Sequence, residues 1–305
     1  MVLGIDIGAT TIKCGIVSGF GDIEDKKVVD TRETASNDKF VENIGKIINE
    51  YLVKYPALKG VGLGFPGLLS KDRTTVVEMA NIPEAKSQNV VSQLAIHCPG
   101  VKVSIENDAK CATLGEKIFG SDKHIDNFMF ITLGTGVGSG AFIDNKLFLG
   151  NGNACEVGHM ITSTGKVLEH EVGLRQISEY TLSKLNEAEY KSSILAANSF
   201  DLTPKIIFDA ANKGDKLALH VWDRVGSLIG ETLVNIMRVM DINTFILGGG
   251  VAGAFDHIKP SAVETIKKHL STYYTDNLKI VPAELSNDAG ILGAASLIYH
   301  EYYGY

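Results

Sequence analysis

The stretch Leu3-Gly-Ile-Asp-Ile-Gly-Ala-Thr-Thr-Ile-Lys-Cys-Gly-Ile-Val17 opens the chain, and Phe130-Ile-Thr-Leu-Gly-Thr-Gly-Val-Gly-Ser-Gly-Ala-Phe-Ile143 repeats its pattern. In each, an apolar strand leads through a glycine and threonine turn into a second apolar strand. Glycine lets backbone amides approach an anion closely, and threonine hydroxyls and Lys13 add donors. Ordinary hairpins use the same residues, so the repetition and Asp6 carry the inference. These first and second glycine hairpins predict one nucleotide bound between two related domains.

The composition excludes several classes of protein. The 305 residues are 45% hydrophobic and 21% charged, with a formal net charge of -7. This is the composition of a globular chain long enough for two domains, and its acidic balance argues against nucleic acid as a partner. No segment reaches the roughly twenty apolar residues of a membrane span, and no leader precedes Asp6. The four cysteines are scattered without a CxxC pair. We therefore expect a cytoplasmic protein with neither a disulfide framework nor a cysteine-rich zinc site.

Strands alternate with helices along the chain. Apolar spacing predicts helices over residues 38–55, 89–97, 109–119, 174–185, 215–240 and 288–299, and strands over 60–65, 101–108 and 244–250. This alternation indicates an α/β layered fold, to which the glycine hairpins add antiparallel strands. We expect a mixed sheet in each of two halves, with the second half beginning near residue 120.

Two aspartates are candidates for phosphoryl-transfer chemistry. Asp6 lies where the first strand meets the phosphate turn, a position suited to holding hydrated magnesium, although aspartates at turns also cap their own backbone. Asp108 follows Asn107 at a junction from strand to helix, where capping of the helix is the ordinary role. At the carboxyl end of a strand, the same carboxylate is well placed to accept a hydroxyl proton. Asn107 would then orient a substrate hydroxyl.

A polar segment follows the second glycine hairpin. Glu156-Val-Gly-His159, with Glu169 ten residues beyond His159, offers the mixed donors and acceptors that a polyol requires. Metal binding is the alternative for Glu156 and His159, but neither a second sulfur nor a histidine pair accompanies Cys155. Gly248-Gly-Gly250 either approaches a nucleotide or only turns the chain into a helix, and Gly64-Phe-Pro-Gly67 either lines a sugar pocket or is only a stiff turn.

Together these segments resemble the ROK family of sugar kinases, within the actin-like and hexokinase-like ATPases, and its glucokinases most closely. The motifs, which span nearly the whole chain, are Gly4-Ile-Asp-Ile-Gly-Ala-Thr10, Gly64-Phe-Pro-Gly67, Asn81-Ile-Pro83, Glu106-Asn-Asp-Ala109, Leu133-Gly-Thr-Gly-Val-Gly138, Glu156-Val-Gly-His159, Leu247-Gly-Gly-Gly250 and Asn287-Asp-Ala-Gly-Ile-Leu-Gly-Ala-Ala295. The resemblance implies an ATP-dependent hexose 6-phosphotransferase with a two-domain α/β fold, a mixed sheet in each domain and the sugar in a cleft between them. The implied domains are residues 1–118 with 289–305, and residues 119–288.

The resemblance also implies roles for individual residues. Asp108 matches the general base. The implied sugar-binding residues are Gly67, Asn81, Asn107, Asp108, Glu156, His159 and Glu169. The implied nucleotide-binding residues are Asp6, Gly8, Thr10, Thr11, Lys13, Gly134, Thr135, Gly136, Gly138, Gly248, Gly249 and Gly250. Magnesium is expected to be held by Asp6 through water.

One departure from the family concerns zinc. Many members carry a CxCGxxGC zinc loop before the last sugar-binding glutamate, whereas residues 160–167 here contain no cysteine. We therefore expect no zinc site, and Glu169 aligns only across a deletion. Polyphosphate-using glucokinases resemble the family and also lack the loop, so the phosphoryl donor stays open. The usual second glycine of the first motif is Ala9, which adds one methyl group beside the phosphate turn.

Three functions compete on the sequence. The first is a glucokinase, and the second is a kinase for another hexose, such as N-acetylmannosamine, N-acetylglucosamine, fructose or allose. The third is a sugar-responsive transcriptional regulator, which we disfavour because such proteins add an N-terminal DNA-binding domain and Asp6 lies too near the start for one. Related enzymes are often homodimers, but the sequence does not decide the oligomeric state.

Overall fold

The structure, a computed structural model, describes residues 1–36, 39–79, 82, 85–120 and 123–303. The strands are β1 (Val2–Ile7), β2 (Thr11–Val17), β3 (Ile23–Asp30), β4 (Val61–Phe65), β5 (Leu68–Leu69), β6 (Thr75–Glu78), β7 (Gln88–Asn89), β8 (Val103–Asn107), β9 (Phe128–Leu133), β10 (Val137–Ile143), β11 (Lys146–Leu147), β12 (Thr244–Gly248) and β13 (Lys279–Pro282). The α-helices are α1 (Thr31–Thr34), α2 (Phe40–Lys54), α3 (Val90–His97), α4 (Asp108–Phe119), α5 (Glu169–Val172), α6 (Leu174–Lys184), α7 (Pro204–Ala211), α8 (Lys216–Met240), α9 (Phe255–His269), α10 (Thr272–Thr275) and α11 (Ala289–Tyr303).

The helices expected from apolar spacing are confirmed, with small shifts at their ends. Asn89 and Asp215, expected as first helical residues, instead accept hydrogen bonds from Ser92 N and Ala218 N as the N-caps of α3 and α8. The short polar side chain thus satisfies an amide that the first helical turn leaves without a partner. The expected helix start at Asp38 lies outside the described residues.

Mixed sheets are confirmed. The first is ordered β3-β2-β1-β4-β8, with β1–β2–β3 antiparallel and β1–β4–β8 parallel. The second is ordered β11-β10-β9-β12-β13, and in it β9, β12 and β13 run parallel. A third sheet, β5-β6-β7, was not expected, because its strands are two to four residues long and leave little periodicity.

Contact density divides the chain into two compact units. One unit comprises residues 1–126, 140–155 and 284–305, and the other comprises residues 127–139 and 156–283. The sequence-based domain boundaries stay a prediction. No helix among the described residues combines the length and the apolar character that crossing a membrane requires.

Helix α11 packs closely on the first sheet because glycines bring the two backbones together. A Cβ at Gly62 of β4 would lie 1.8 Å from the carbonyl oxygen of Ala294, and one at Gly4 of β1 would lie 2.2 Å from that of Ile291. These are backbone atoms, so no rotamer change could make room. The first sheet therefore presents a smooth surface that fixes the position of α11.

We predict that Gly62→Ala pushes α11 off the sheet and lowers the free energy of unfolding by about 1–3 kcal/mol or more. Gly19→Ala is the matched control, because a Cβ there meets nothing within 4 Å, and its effect should stay within about 0.5 kcal/mol. Urea unfolding of the two variants measures the difference. Equal midpoints for both variants would contradict the close packing.

Candidate active site

The first glycine hairpin ends in a two-residue turn. Gly8 N donates to Thr11 O at 3.0 Å, which leaves Ala9 and Thr10 at the exposed tip. Residue Thr31 holds the turn from the side: its N donates to Thr10 O at 3.0 Å and its Oγ1 donates to Gly8 O at 2.9 Å. The turn is thus fixed by the neighbouring chain while its tip stays accessible to a ligand.

Asp6 lies beside the turn, directly across the strand pair from Lys13. Burial raises the pKa of the Asp6 carboxyl, and the positive charge of Lys13 partly offsets this increase. Gly290, in the first turn of α11, packs against the carboxylate so closely that a Cβ there would lie 2.1 Å from Asp6 Oδ2. The amino end of a helix favours a negative charge, so Lys13 and α11 both support an ionised Asp6.

A single carboxylate at this place fits magnesium better than zinc. Magnesium keeps several water ligands and is usually bound through one or two carboxylates and the substrate phosphates. Among the described residues, no group of three or more histidine, cysteine, aspartate or glutamate side chains could hold a metal ion. Asp6 is therefore suited to a hydrated ion that arrives with a nucleotide.

The junction of β8 and α4 separates the roles of two neighbouring residues. Asn107 caps α4, because its Oδ1 accepts from Ala109 N at 3.1 Å and from Lys110 N at 3.2 Å. Asp108 is the first residue of the helix, and its partly exposed carboxylate accepts from Ala109 N at 2.8 Å. The capping role considered for Asp108 thus belongs to Asn107.

A buried ion pair supports this junction. Glu106, 3% exposed, accepts from Arg73 Nε at 2.6 Å and from Asn107 N at 2.8 Å. Burial raises the pKa of Glu106, and Arg73 lowers it in part. The guanidinium also donates to Ser70 O at 3.0 Å and to Gly152 O. Arg73 therefore joins three segments of the first unit.

Gly67 belongs to the same network. Its φ is 122°, and a Cβ would lie 2.1 Å from Glu78 O. Its carbonyl accepts from Asn107 Nδ2 at 3.2 Å, so the first unit brings the predicted residues Gly67, Asn107 and Asp108 together. Asn81, the remaining sugar-binding residue predicted in this part of the chain, lies outside the described residues.

The second glycine hairpin has a tight turn of its own. Gly134 N donates to Gly136 O at 2.9 Å, Thr135 is exposed at the tip, and Gly138 lies in β10. Leu174 N, at the start of α6, donates to Gly134 O at 2.9 Å. The predicted phosphate turn therefore adjoins the amino end of a helix, which also favours anions.

The polar segment follows in the second unit. Glu156 immediately precedes the 3-10 turn Val157–His159, whose Val157 N donates to Ser139 Oγ at 3.3 Å. His159 Nε2 lies 3.4 Å from Glu169 Oε1, and the two side chains are 63% and 27% exposed. Glu169 Oε2 also faces Gly136, where a Cβ would lie 2.9 Å away. The structure thus brings His159 and Glu169 together beside the second glycine hairpin.

A mostly apolar cavity of about 730 Å³ adjoins the predicted glycine turn after β12. Gly248 ends the strand, and Gly250 lines the cavity. Gly249 has a φ of 84°, and a Cβ added there would lie 2.4 Å from Leu133 O. Phe208 and Trp222 line the same cavity from α7 and α8. Sequence reasoning missed these two residues because aromatic side chains on amphipathic helices have the same pattern whether they fill a core or line a pocket.

This chain is similar to known proteins over almost its whole length. The profile described as the ROK family matches residues 2–301. The glucokinase of Thermotoga maritima is 31% identical over 309 residues, which cover 97% of this chain and 96% of that protein. A candidate sugar kinase from Cytophaga hutchinsonii has a structure with TM-score 0.93, 47% identity and coverage of 98% and 99% of the two chains. A ROK family glucokinase from Streptomyces griseus, solved with glucose and AMPPNP, has TM-score 0.81, 27% identity and coverage of 97% and 98%.

We predict that Arg73→Met lowers the free energy of unfolding by about 3–5 kcal/mol, because Glu106 stays buried without its hydrogen-bonded cation and keeps only the positive charge of the buried Lys110 nearby. The folded variant should bind the Glu106 proton more tightly than the unfolded chain does. The loss of stability should therefore be largest above the raised pKa of Glu106 in the folded variant, and it should shrink as the pH falls from there towards the ordinary pKa of a glutamate.

The control for this prediction is the double variant Arg73→Met with Glu106→Gln, which removes the charge as well as its partner. It should be more stable than Arg73→Met alone at neutral pH, as chemical unfolding from pH 4 to pH 8 would measure. If the two variants lose the same stability at every pH, the buried charge is not the cause.

Proposed function

Because the chain belongs to the ROK family, we propose that it is an ATP-dependent hexose kinase that phosphorylates the 6-hydroxyl of glucose. The observation that carries the proposal is the division of roles at the β8–α4 junction. Asn107 caps the helix, and Asp108 presents a partly exposed carboxylate at the carboxyl end of a strand. This is where a general base for a bound hydroxyl is needed.

Asp108 acts in this proposal as the acceptor of the sugar hydroxyl proton. In a loose phosphoryl-transfer transition state the nucleophile needs orientation more than early deprotonation, so an ordinary carboxylate suffices. The side chain of Asn107 has little capacity left to hydrogen-bond a substrate, because its Oδ1 accepts from two backbone amides and its Nδ2 donates to Gly67 O. We therefore assign Asn107 chiefly to holding Asp108 and Gly67 in place.

Glu156, His159 and Glu169 are proposed to bind the remaining sugar hydroxyls. The exposed His159 and the partly exposed Glu169 lie 3.4 Å apart, close enough for two adjacent hydroxyl groups to bridge them. A carboxylate accepts from a hydroxyl, whereas an imidazole can donate or accept according to its tautomer. The pair thus suits a polyol ring with neighbouring hydroxyls.

The two glycine hairpins are proposed to bind the phosphates, with Asp6 holding hydrated Mg²⁺. Gly8, Thr10, Thr11 and Lys13 supply the donors of the first hairpin, and their counterparts in the second are Gly134, Thr135, Gly136 and Gly138. Magnesium would neutralise phosphate charge as the γ-phosphoryl group leaves. The chain itself contributes fixed amides and one carboxylate.

The cavity beside Gly250 favours ATP over polyphosphate as the donor. Its volume of about 730 Å³ and its apolar lining, which includes Leu202, Phe208 and Trp222, suit a flat heterocyclic base. Polyphosphate has no group that would gain from an apolar cavity. Gly248, Gly249 and Gly250 would then carry the backbone past the nucleotide.

We expect ATP and glucose to be the best pair in a coupled assay that combines ATP or polyphosphate with glucose, fructose, allose and the two N-acetylated hexosamines. Asp108→Asn should lower kcat about 10²- to 10⁴-fold through loss of the base. Glucose binding, measured by calorimetry, should persist because the variant keeps the size of the side chain and the cap at Asn107.

Asp22→Asn is the control, since Asp22 bonds Ser18 in an exposed turn, and it should leave kcat unchanged. Activity confined to an N-acetylated sugar would refute glucose as the acceptor. Near-normal turnover by Asp108→Asn would refute the assigned base, and absence of sugar phosphorylation with either donor would refute the kinase.

A second prediction tests whether the apolar cavity binds the base of ATP. Gly253 lines the cavity and has nothing within 4 Å of its virtual Cβ, so Gly253→Phe can fill the space without displacing backbone. The KM for ATP should rise at least about tenfold, equivalent to about 1.4 kcal/mol, with the KM for glucose unchanged. Unchanged use of ATP, with Gly19→Ala as control, would mean that the base binds elsewhere.

A further inference from the structure

Residues 160–168 form a short hairpin, here called the acceptor hairpin, between the proposed sugar-binding residues His159 and Glu169. Leu168 N donates to Met160 O at 2.9 Å, and Thr162 N donates to Lys166 O at 2.9 Å. The hairpin therefore holds its two ends side by side, and with them the two sugar-binding residues.

The acceptor hairpin is followed by α5, which has only four residues, Glu169–Val172. One helical turn is not stable by itself, because nucleation costs more than its few hydrogen bonds return. The orientation of Glu169 must therefore depend on contacts that α5 makes with other elements. Val172 supplies apolar contacts, because it is fully buried, and Glu171, two residues along the same turn, supplies polar ones.

Glu171 is a buried carboxylate with three partners. Only 3% of its side chain is exposed, and its Oε2 accepts from Arg224 Nη2. Its Oε1 accepts from Thr164 Oγ1 at 3.0 Å and lies 3.6 Å from Lys166 Nζ. One carboxylate thus connects α5, the tip of the acceptor hairpin and helix α8.

Helix α8, which carries Arg224, is a long and well-packed element. Arg224 lies in α8, a 25-residue helix with a largely buried apolar face, and its guanidinium carbon stacks 4.2 Å from the ring centre of Tyr180. Glu231, two helical turns further along α8, accepts from Ser163 Oγ at 3.0 Å. The acceptor hairpin is therefore attached to the same face of α8 at two points.

We propose that Glu171 and Arg224 are positioning residues for the sugar acceptor, holding His159 and Glu169 in the geometry that binds it. The proposal rests on the proposed function. It also explains how residues 160–167, which carry no cysteine, can keep a fixed conformation. The buried ion pair between Glu171 and Arg224 acts as a cross-link that attaches this segment to α8. Neither Glu171 nor Arg224 contacts the sugar in this scheme, so both act through the residues beside them.

Arg224→Lys is the principal test. Lysine keeps the charge but cannot reach Glu171 while stacking on Tyr180 as the planar guanidinium does. A displacement of about 1 Å at a binding group can cost about 10²-fold, so we expect kcat/KM for the sugar to fall about 10- to 100-fold. The loss should lie in the KM for the sugar, while the KM for ATP changes less than about twofold.

Two milder variants test the same contact from the exposed side. Thr164→Val and Lys166→Met remove partners of Glu171 at the hairpin surface, where a failure to fold is not expected. Each should raise the KM for the sugar about threefold, as the displacement is smaller. If Arg224→Lys does not fold, these two variants decide the proposal.

Arg238→Lys is the matched control, because Arg238 lies in the same helix and stacks 4.8 Å from the ring centre of Tyr274. It should leave the KM for the sugar unchanged and, because Arg238 is exposed, should lower the stability less than Arg224→Lys does. Calorimetric titration with the sugar alone provides a readout that is independent of turnover, and a Kd that rises with the KM supports positioning.

The outcomes distinguish the two levels of the argument. Folded variants that lose thermal stability but keep the wild-type Kd and KM for the sugar would overturn the positioning role. A wild-type protein that neither binds nor phosphorylates a sugar would overturn the proposed function instead. Restoration of the chelator-treated enzyme by Mg²⁺ alone is expected, and a requirement for added Zn²⁺ would overturn the idea that the ion pair is the cross-link.

Discussion

Burying an ionised carboxylate costs much free energy unless its charge is compensated, and Glu106 is such a buried carboxylate in the first unit. It lies one residue before Asn107 and two before Asp108, so any shift that frees its charge also moves the cap and the proposed base. Arg73 compensates the charge and bonds Ser70 O and Gly152 O with the rest of its guanidinium. A planar group with five donors in fixed directions can meet these demands together, whereas a lysine has three donors on a single nitrogen atom and lacks the planar fork.

Glu171 is a buried carboxylate in the second unit, and its charge is likewise compensated by an arginine, Arg224. Glu106 and Glu171 each stand beside a residue of the candidate site, and each is paired with an arginine from another part of the chain. In both places, the compensating cation fixes a short segment that could not keep its conformation alone. In the first unit this segment is the junction of β8 and α4, and in the second it is the four-residue helix α5. Such pairs are not expected to contribute much net stability, because desolvation offsets most of their attraction. Their effect is on geometry.

The parts of the fold that the sequence predicts are those encoded locally. Apolar spacing within α2 and α8 identifies these helices. The turns of the two glycine hairpins are predicted by their glycine residues, which tight turns favour. The pairs Arg73–Glu106 and Glu171–Arg224 are separated by 33 and 53 residues along the chain. With 29 basic and 36 acidic side chains present, no local signal selects these partners.

The assignment of the α4 cap to Asn107 follows from the same electrostatic constraint. Aspartate and asparagine cap helices about equally well, so local preference does not choose between positions 107 and 108. An aspartate at position 107 would add a third consecutive carboxylate, between Glu106 and Asp108 and next to one whose burial already raises its pKa. A neutral cap gives the helix its hydrogen bonds without that repulsion. The amino end of α4 then favours the negative charge of Asp108, as its proposed role of general base requires.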